Sequence, residues 1–164
     1  MDTEAALASY LVVIYGTSAS RNEAAWRLAR TLPGKSAVVA VDRLLDGAIA
    51  RPGEDAVAEL DMVHTQLRLL VANYMKNGYN VVVEGAFWHE RDGRMHRYEQ
   101  DIDQLVALMR NMTRKALTAH LRGPEAAGFE YRERYGANAV SFDAGIGVEE
   151  VAEAICAKLV AEEF

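Results

Sequence analysis

Short apolar, β-branched runs alternate along this chain with longer stretches in which apolar residues recur every three or four positions. That alternation predicts a parallel sheet covered by helices. The first run, Tyr10-Leu11-Val12-Val13-Ile14-Tyr15, is apolar at every position, as a strand buried on both faces requires. It stops at Gly16, and a small polar loop leads into a helix from about Asn22 to Leu32 with Ala25, Leu28, Ala29 and Leu32 as its stripe. Pro33-Gly34 ends that helix. A second run, Ser36 to Val41, closes on Asp42-Arg43. Beyond a loop containing Arg51-Pro52-Gly53, the spacing of Leu60, Val63, Leu67, Leu70, Val71 and Tyr74 predicts the longest helix, about Asp55 to Asn77. Gly78 stands where a left-handed terminating residue is wanted. Asn80 to Glu84 is the least ambiguous strand.

The second half is less regular. Trp88 to Arg97 is rich in His, Arg and Asp and reads as a solvated loop carrying substrate-side arginines. Within residues 98–122, Gln104 to Met109 fits either a fourth strand or part of one long helix, because a short apolar run does not separate the two. Arg122-Gly123-Pro124 through Gly136 has the composition of a moving segment. Asn138 to Asp143 reads as the last strand and Val148 to Val160 as the closing helix, with Val148, Val151, Ile155 and Leu159 inward. The expected architecture is α/β: one domain over residues 1–164, a three-layer sandwich around a central, mostly parallel five-stranded sheet, with a lid segment at about 120–136.

Composition narrows the function classes. A chain of 164 residues, 51% hydrophobic, buries enough surface to fold without a disulfide or metal staple. The single Cys156 forbids an intrachain disulfide and any multi-cysteine zinc site. A net charge of -6 offers no broad attraction to a nucleic-acid backbone or an anionic membrane. Met1-Asp2-Thr3-Glu4 is acidic where a secretory signal is basic, and no run approaches the roughly 20 apolar residues of a membrane span. A cytoplasmic protein with a small-molecule partner, and no nucleic acid or membrane, is the expectation. A homodimer through helices around residues 98–121 is compatible with the pattern.

Strand, glycine, small polar loop and helix together form the arrangement that turns backbone N–H groups and a positive helix end toward an anion. With the acid-plus-arginine pair ending the second run and the carboxylate ending Val81 to Glu84, the order of elements resembles the P-loop kinases. Small nucleotide kinases, chloramphenicol phosphotransferase and zeta-toxin share this opening. The motif departs from that family. Aligning G-x-x-x-x-G-K-[ST] on Gly16 gives Gly16-Thr17-Ser18-Ala19-Ser20-Arg21-Asn22-Glu23. Arg21 stands for the second glycine, Asn22 for the lysine and Glu23 for the magnesium-binding hydroxyl. The tripeptide Gly34-Lys35-Ser36 is a decoy, since it joins a helix to a strand rather than the reverse.

The resemblance implies roles, each beside a plainer one. Gly16, Ser18, Ser20, Arg21 and Asn22 would bind phosphate; alternatively Ser20 caps the helix and Glu23 completes a capping box. Asp42 would be the general base and Arg43 would steady the acceptor; alternatively Asp42 caps a helix over 44–50. Glu84 would hold magnesium through water. Phe87 and Trp88 would wall the acceptor pocket or pack at its rim. Arg122, Arg132 and Arg134 would close over the triphosphate, or pair with Glu125, Glu130 and Glu133 as surface charge. With Mg and ATP as cofactors, the implied activity is phosphotransfer to a small molecule or nucleotide. A catalytically inactive pseudokinase that binds a ligand or a protein is the competing reading, and an enzyme that uses no nucleoside triphosphate is a third. His64 and His120 fall in helical patterns and read as structural, as does the Cys156 thiol.

Overall fold

A computed structural model describes residues 9–46, 56–91, 94–110, 115–123, 131 and 138–161. Its elements run β1 (Tyr10–Tyr15), α1 (Arg21–Thr31), β2 (Ser36–Ala40), α2 (Val41–Asp46), α3 (Ala56–Lys76) and β3 (Asn80–Gly85). There follow β4 (Trp88–Arg91), β5 (Arg94–Arg97), α4 (Gln100–Arg110), β6 (Lys115–Leu121), β7 (Ala139–Phe142) and α5 (Val148–Val160). Five strands form one all-parallel sheet in the order β2-β3-β1-β6-β7, and β4 pairs with β5 as a separate antiparallel hairpin.

The uniform apolarity of β1 has a direct structural reason. Leu11, Val13 and Tyr15 face a core shared with α3 and α4, built on Leu67, Val71, Met75, Ile102 and Leu105. Tyr10, Val12 and Ile14 face the opposite core, shared with α1 and α5 through Leu28, Val151, Ile155 and Leu159. Two helical layers thus cover one sheet, which is the expected three-layer sandwich. Parallel register between β1 and both neighbours, Val13 opposite Val83 and Thr118, brings the carboxyl ends of β1, β3 and β6 to one edge. Open α/β sheets bind ligands outside that edge, where the strand order reverses.

The stretch 98–122 resolves into two elements. Gln104 to Met109 belongs to α4, where buried Ile102 and Leu105 alternate with exposed Asp103, Gln104 and Ala107 at helical spacing. The remaining strand is Lys115–Leu121, which lies beside β1 in the middle of the sheet. Trp88 to Arg97 is a hairpin rather than a loop, with Arg91 opposite Arg94. Its base closes where the Tyr98 N–H donates to the Phe87 carbonyl at 3.0 Å. Gly78 has φ 81°, and the Gly78 and Tyr79 amides return to Met75 and Tyr74, as a left-handed helix terminus requires. Asn80 ties the sheet's start together: its Oδ1 accepts from Tyr10 N–H at 3.0 Å and its Nδ2 donates to the Pro33 carbonyl at 2.8 Å.

Candidate functional site

The β1 strand ends at Tyr15, and the chain turns sharply at Gly16, where φ is 135°. A side chain there would put its Cβ 2.1 Å from the Leu121 carbonyl oxygen, so the closeness of β6 demands glycine. The loop after it bonds inward. Ser18 N–H donates to Leu121 O at 3.4 Å, Ser20 N–H to Ser18 Oγ at 3.2 Å, and Arg21 N–H to Ser18 O at 3.4 Å. Gly123 lies on top of it, with its Cβ direction only 2.5 Å from Ser18 N. Three amides expected to cradle phosphate are therefore engaged by protein. Ser20 is the N-cap by backbone position, its carbonyl accepting from Ala24 N–H at 2.9 Å, but its side chain makes no capping bond and the capping box is not formed.

Arg21 opens α1 and reaches across the ends of β2 and β3. Its Nη2 meets Asp42 Oδ2 at 3.2 Å, its Nη1 faces Glu84 Oε2 at 3.7 Å, and its Nε donates to Ser18 O at 3.2 Å. Asn22 donates from Nδ2 to Glu84 Oε1 at 3.2 Å. Ala86 N–H donates to Asp42 Oδ1 at 3.4 Å. Each of the four carboxylate oxygens thus faces a protein donor. Asp42 lies in the first turn of α2, which begins at Val41, so it does not cap a helix over 44–50. Burial raises the Glu84 carboxyl above its ordinary value, opposed by the Arg21 charge and the Asn22 bond, while Asp42 pushes it further up.

Aromatic rings fill the space beside this cluster. Tyr15 stacks on His120 with centroids 4.8 Å apart, and Tyr131 leans on both at 5.4 and 5.1 Å. The Tyr131 hydroxyl donates to the Ala86 carbonyl at 2.6 Å. Its phenol is held above the ordinary value chiefly by burial, opposed by a hydrogen bond with Trp88 and by Arg21. His120 therefore sits on β6 at the strand edge, not in a helix. Nothing in local composition signals this constellation, because Tyr15, His120 and Tyr131 meet only through the sheet order. Phe87 is fully buried against Tyr98, at φ 58°, and belongs to the core rather than to an open wall. Arg122 pairs with exposed Asp143 at 3.5 Å. Arg132, Arg134 and most of the expected lid lie outside the described residues.

A cavity of about 220 Å³ adjoins the cluster at the sheet's β2 edge, lined by Asn22, Trp26, Val38, Arg43, Leu44 and Leu70 among others. Among the described residues the Arg43 side chain makes no hydrogen bond or ion-pair contact, and its charge acts on Glu84 only through space.

These residues do not fit magnesium with a nucleoside triphosphate in the present arrangement. A magnesium ion takes about six oxygens at roughly 2.0–2.1 Å, whereas both carboxylates here already face a guanidinium and amides. Among the described residues no group of three or more His, Cys, Asp and Glu is placed to hold a metal ion. The amides that would receive phosphate bond to protein oxygens instead. No helix of the described residues is long and apolar enough to cross a membrane.

No family model and no curated protein matches the chain. Solved structures do. The Mycobacterium tuberculosis APS kinase CysC, as its Cys556Ala mutant, superposes with a TM-score of 0.64 at 15% identity, covering 93% of this chain and 97% of its own. APE1195 superposes with a TM-score of 0.66 at 12% identity, covering 95% and 97%. The shared architecture extends over nearly the whole of each chain, and this protein has the fold of the P-loop kinases.

Proposed function

We propose that this chain is a P-loop-kinase-like binding protein that takes a small-molecule or nucleotide ligand at the acceptor side and does not transfer phosphate from ATP. The observation that carries the reading is the occupation of the catalytic-type carboxylates. Asp42, just beyond β2, and Glu84, near the end of β3, are the carboxylates to which the kinase resemblance gives catalytic roles, yet Arg21, Asn22 and Ala86 N–H face all four of their oxygens. The engaged loop amides point the same way. Ligand binding is supported by the cavity beside Asn22, whose lining combines the apolar side chains of Val38, Leu44 and Leu70 with the Trp26 indole and the Arg43 cation. A few polar groups converging on an apolar hollow is the usual build of a small-molecule site.

Phosphotransfer is the second reading, favoured by the meeting of Asp42 and Glu84 on one cation beside the loop. Thermal unfolding separates the two. A kinase site at about a hundredfold excess of ATP over its dissociation constant gains roughly 2.7 kcal/mol, which raises Tm by about 5–10 °C in a chain this size. The expected outcome is a shift below about 1 °C with millimolar ATP, with or without magnesium. A saturable shift of several degrees, with labelled phosphate leaving ATP, overturns the reading. Asn22→Lys with Glu23→Thr restores the lysine and hydroxyl but leaves Arg21 and the inward amides in place, so it is expected to gain no nucleotide. Adding Arg21→Gly to that pair is the variant expected to recover affinity.

A further inference from the structure

We infer that Arg21 is a built-in counter-cation that occupies the place of a divalent metal between Asp42 and Glu84, making this site indifferent to metal ions, and that removing the guanidinium turns the carboxylate pair into a divalent-cation site. The inference deepens the binding-protein reading, which concerns the same residues, but the two fail on different measurements.

The grounds are geometric. Two carboxylates, one from the first turn of α2 and one from β3, converge on one charge, and that charge belongs to a side chain with contacts on three edges. Arg21 is only 16% exposed, Glu84 only 7%, and the Nε contact to Ser18 O fixes the plane of the fork. A guanidinium presents five N–H donors in a fixed plane and sheds water more readily than an ammonium. It therefore spans two carboxylates at 3.2 and 3.7 Å while serving a carbonyl on its third edge. The remaining carboxylate oxygens are taken by Asn22 Nδ2 and Ala86 N–H, donors that a metal ion cannot share. Position 21 is also where the phosphate-loop motif has glycine. The residue that stands in place of that glycine thus supplies the positive charge facing the carboxylates.

Removal of the guanidinium leaves two negative charges facing one gap, one of them buried. A divalent ion relieves that repulsion, and its oxygen-rich requirement matches two carboxylates with water. Arg21→Lys keeps a charge but not the fork, and serves as the conservative control.

The test uses the full chain, with manganese and magnesium chlorides as probes. For the wild type, adding 10 mM MgCl2 after EDTA is expected to leave Tm unchanged, and Mn2+ is expected not to broaden the Asn22 or Ala86 amide resonances. For Arg21→Ala, Tm is expected to drop by roughly 5 °C or more without metal, to recover saturably with Mg2+ or Mn2+, and to show Mn2+ broadening at those amides. Adding Glu84→Gln is expected to abolish that recovery, and Arg21→Lys to bind no Mn2+. Saturable Mn2+ broadening at Asn22 and Ala86 in the wild type overturns the inference whether or not any variant folds. So does an Arg21→Ala chain that folds and gains no metal. ATP binding by the wild type without such broadening would overturn the binding-protein reading and leave the counter-cation in place.

Discussion

Two clusters of titratable side chains among the described residues meet the cost of burial in opposite ways. At the strand edge, Asp42 and Glu84 share a fixed charge, the guanidinium of Arg21. Between α3 and α4, His64 Nε2 and Asp101 Oδ2 approach to 3.1 Å with side chains only 10% and 4% exposed, and no aligned hydrogen bond joins them. Arg68 affects both groups only through its field, while it bonds directly to Gln104 Oε1 at 2.6 Å. Burial consequently pushes His64 down and pushes Asp101 up to about 6. In the first cluster a contacting guanidinium opposes the burial that raises Glu84. The other is driven toward neutral forms and answers to pH. A cation in direct contact, as Arg21 is and Arg68 is not, is what offsets the cost of burying a carboxylate.

The largest expected effect comes from removing that cation. Arg21→Met is expected to cost about 3 kcal/mol at neutral pH, the scale for taking one partner from a buried charge cluster. The loss has a signed pH dependence. Arg21 opposes the burial that raises Glu84, so without it Glu84 rises further and takes up a proton more readily in the folded chain. The destabilisation is then greatest above that raised value and shrinks as pH falls through it. Urea unfolding from pH 4 to 8 checks this; a pH-independent loss would mean that Arg21 acts through packing alone.

The neutral-leaning pair gives the next effect. Between its ordinary value of 3.8 and about 6, the folded chain holds a proton on Asp101 that the unfolded chain has released. Asp101 therefore costs stability as pH rises through that window. His64 works in the opposite direction, since below its ordinary 6.5 the unfolded chain takes up a proton that the folded chain resists. Asp101→Asn is expected to be increasingly stabilised relative to wild type from pH 4 to pH 7, by about 2 kcal/mol in total. Asp61 raises Asp101 and Arg68 lowers it, so Asp61→Asn should narrow the same window. A difference that stays flat across the range would show that His64 and Asp101 form a stable ion pair instead.

Much of this was legible in the sequence, and what was not has a physical cause. Four sheet strands and the helices α1, α3 and α5 follow from apolar runs and helical spacing, because burial on both sheet faces writes itself as continuous apolarity in β1 and β3. Lys115–Leu121 escaped that reading, since Thr118 and His120 interrupt its apolar face at the strand edge. The β4–β5 hairpin did carry a signal, Asp92-Gly93 between two polar strands, but residues facing solvent hide the alternation. Asp42, Glu84, Arg21 and Asn22 were each identified singly, and the sheet order brings them together. That the guanidinium lies between the carboxylates was not legible, because it depends on a strand order, β2-β3-β1, that neighbouring residues do not encode. The same holds for Tyr15, His120 and Tyr131.

The smallest effect belongs to a pair that distance alone would rank as equal to the first. Arg27 Nη2 and Glu149 Oε1 join α1 to α5 at 3.2 Å, the same separation as Arg21 and Asp42. Here the side chains are 48% and 71% exposed, against 16% and 39% for Arg21 and Asp42, and Arg21 also faces Glu84, which is only 7% exposed. Water already solvates both charges, and fixing two long side chains in one geometry offsets most of the attraction. Arg27→Ala is expected to cost under about 0.5 kcal/mol, and 0.5 M NaCl to erase the difference. A loss approaching that of Arg21→Met would break the comparison, because it would make ion-pair distance, and not burial beside a second carboxylate, the source of the strand-edge cluster's stability.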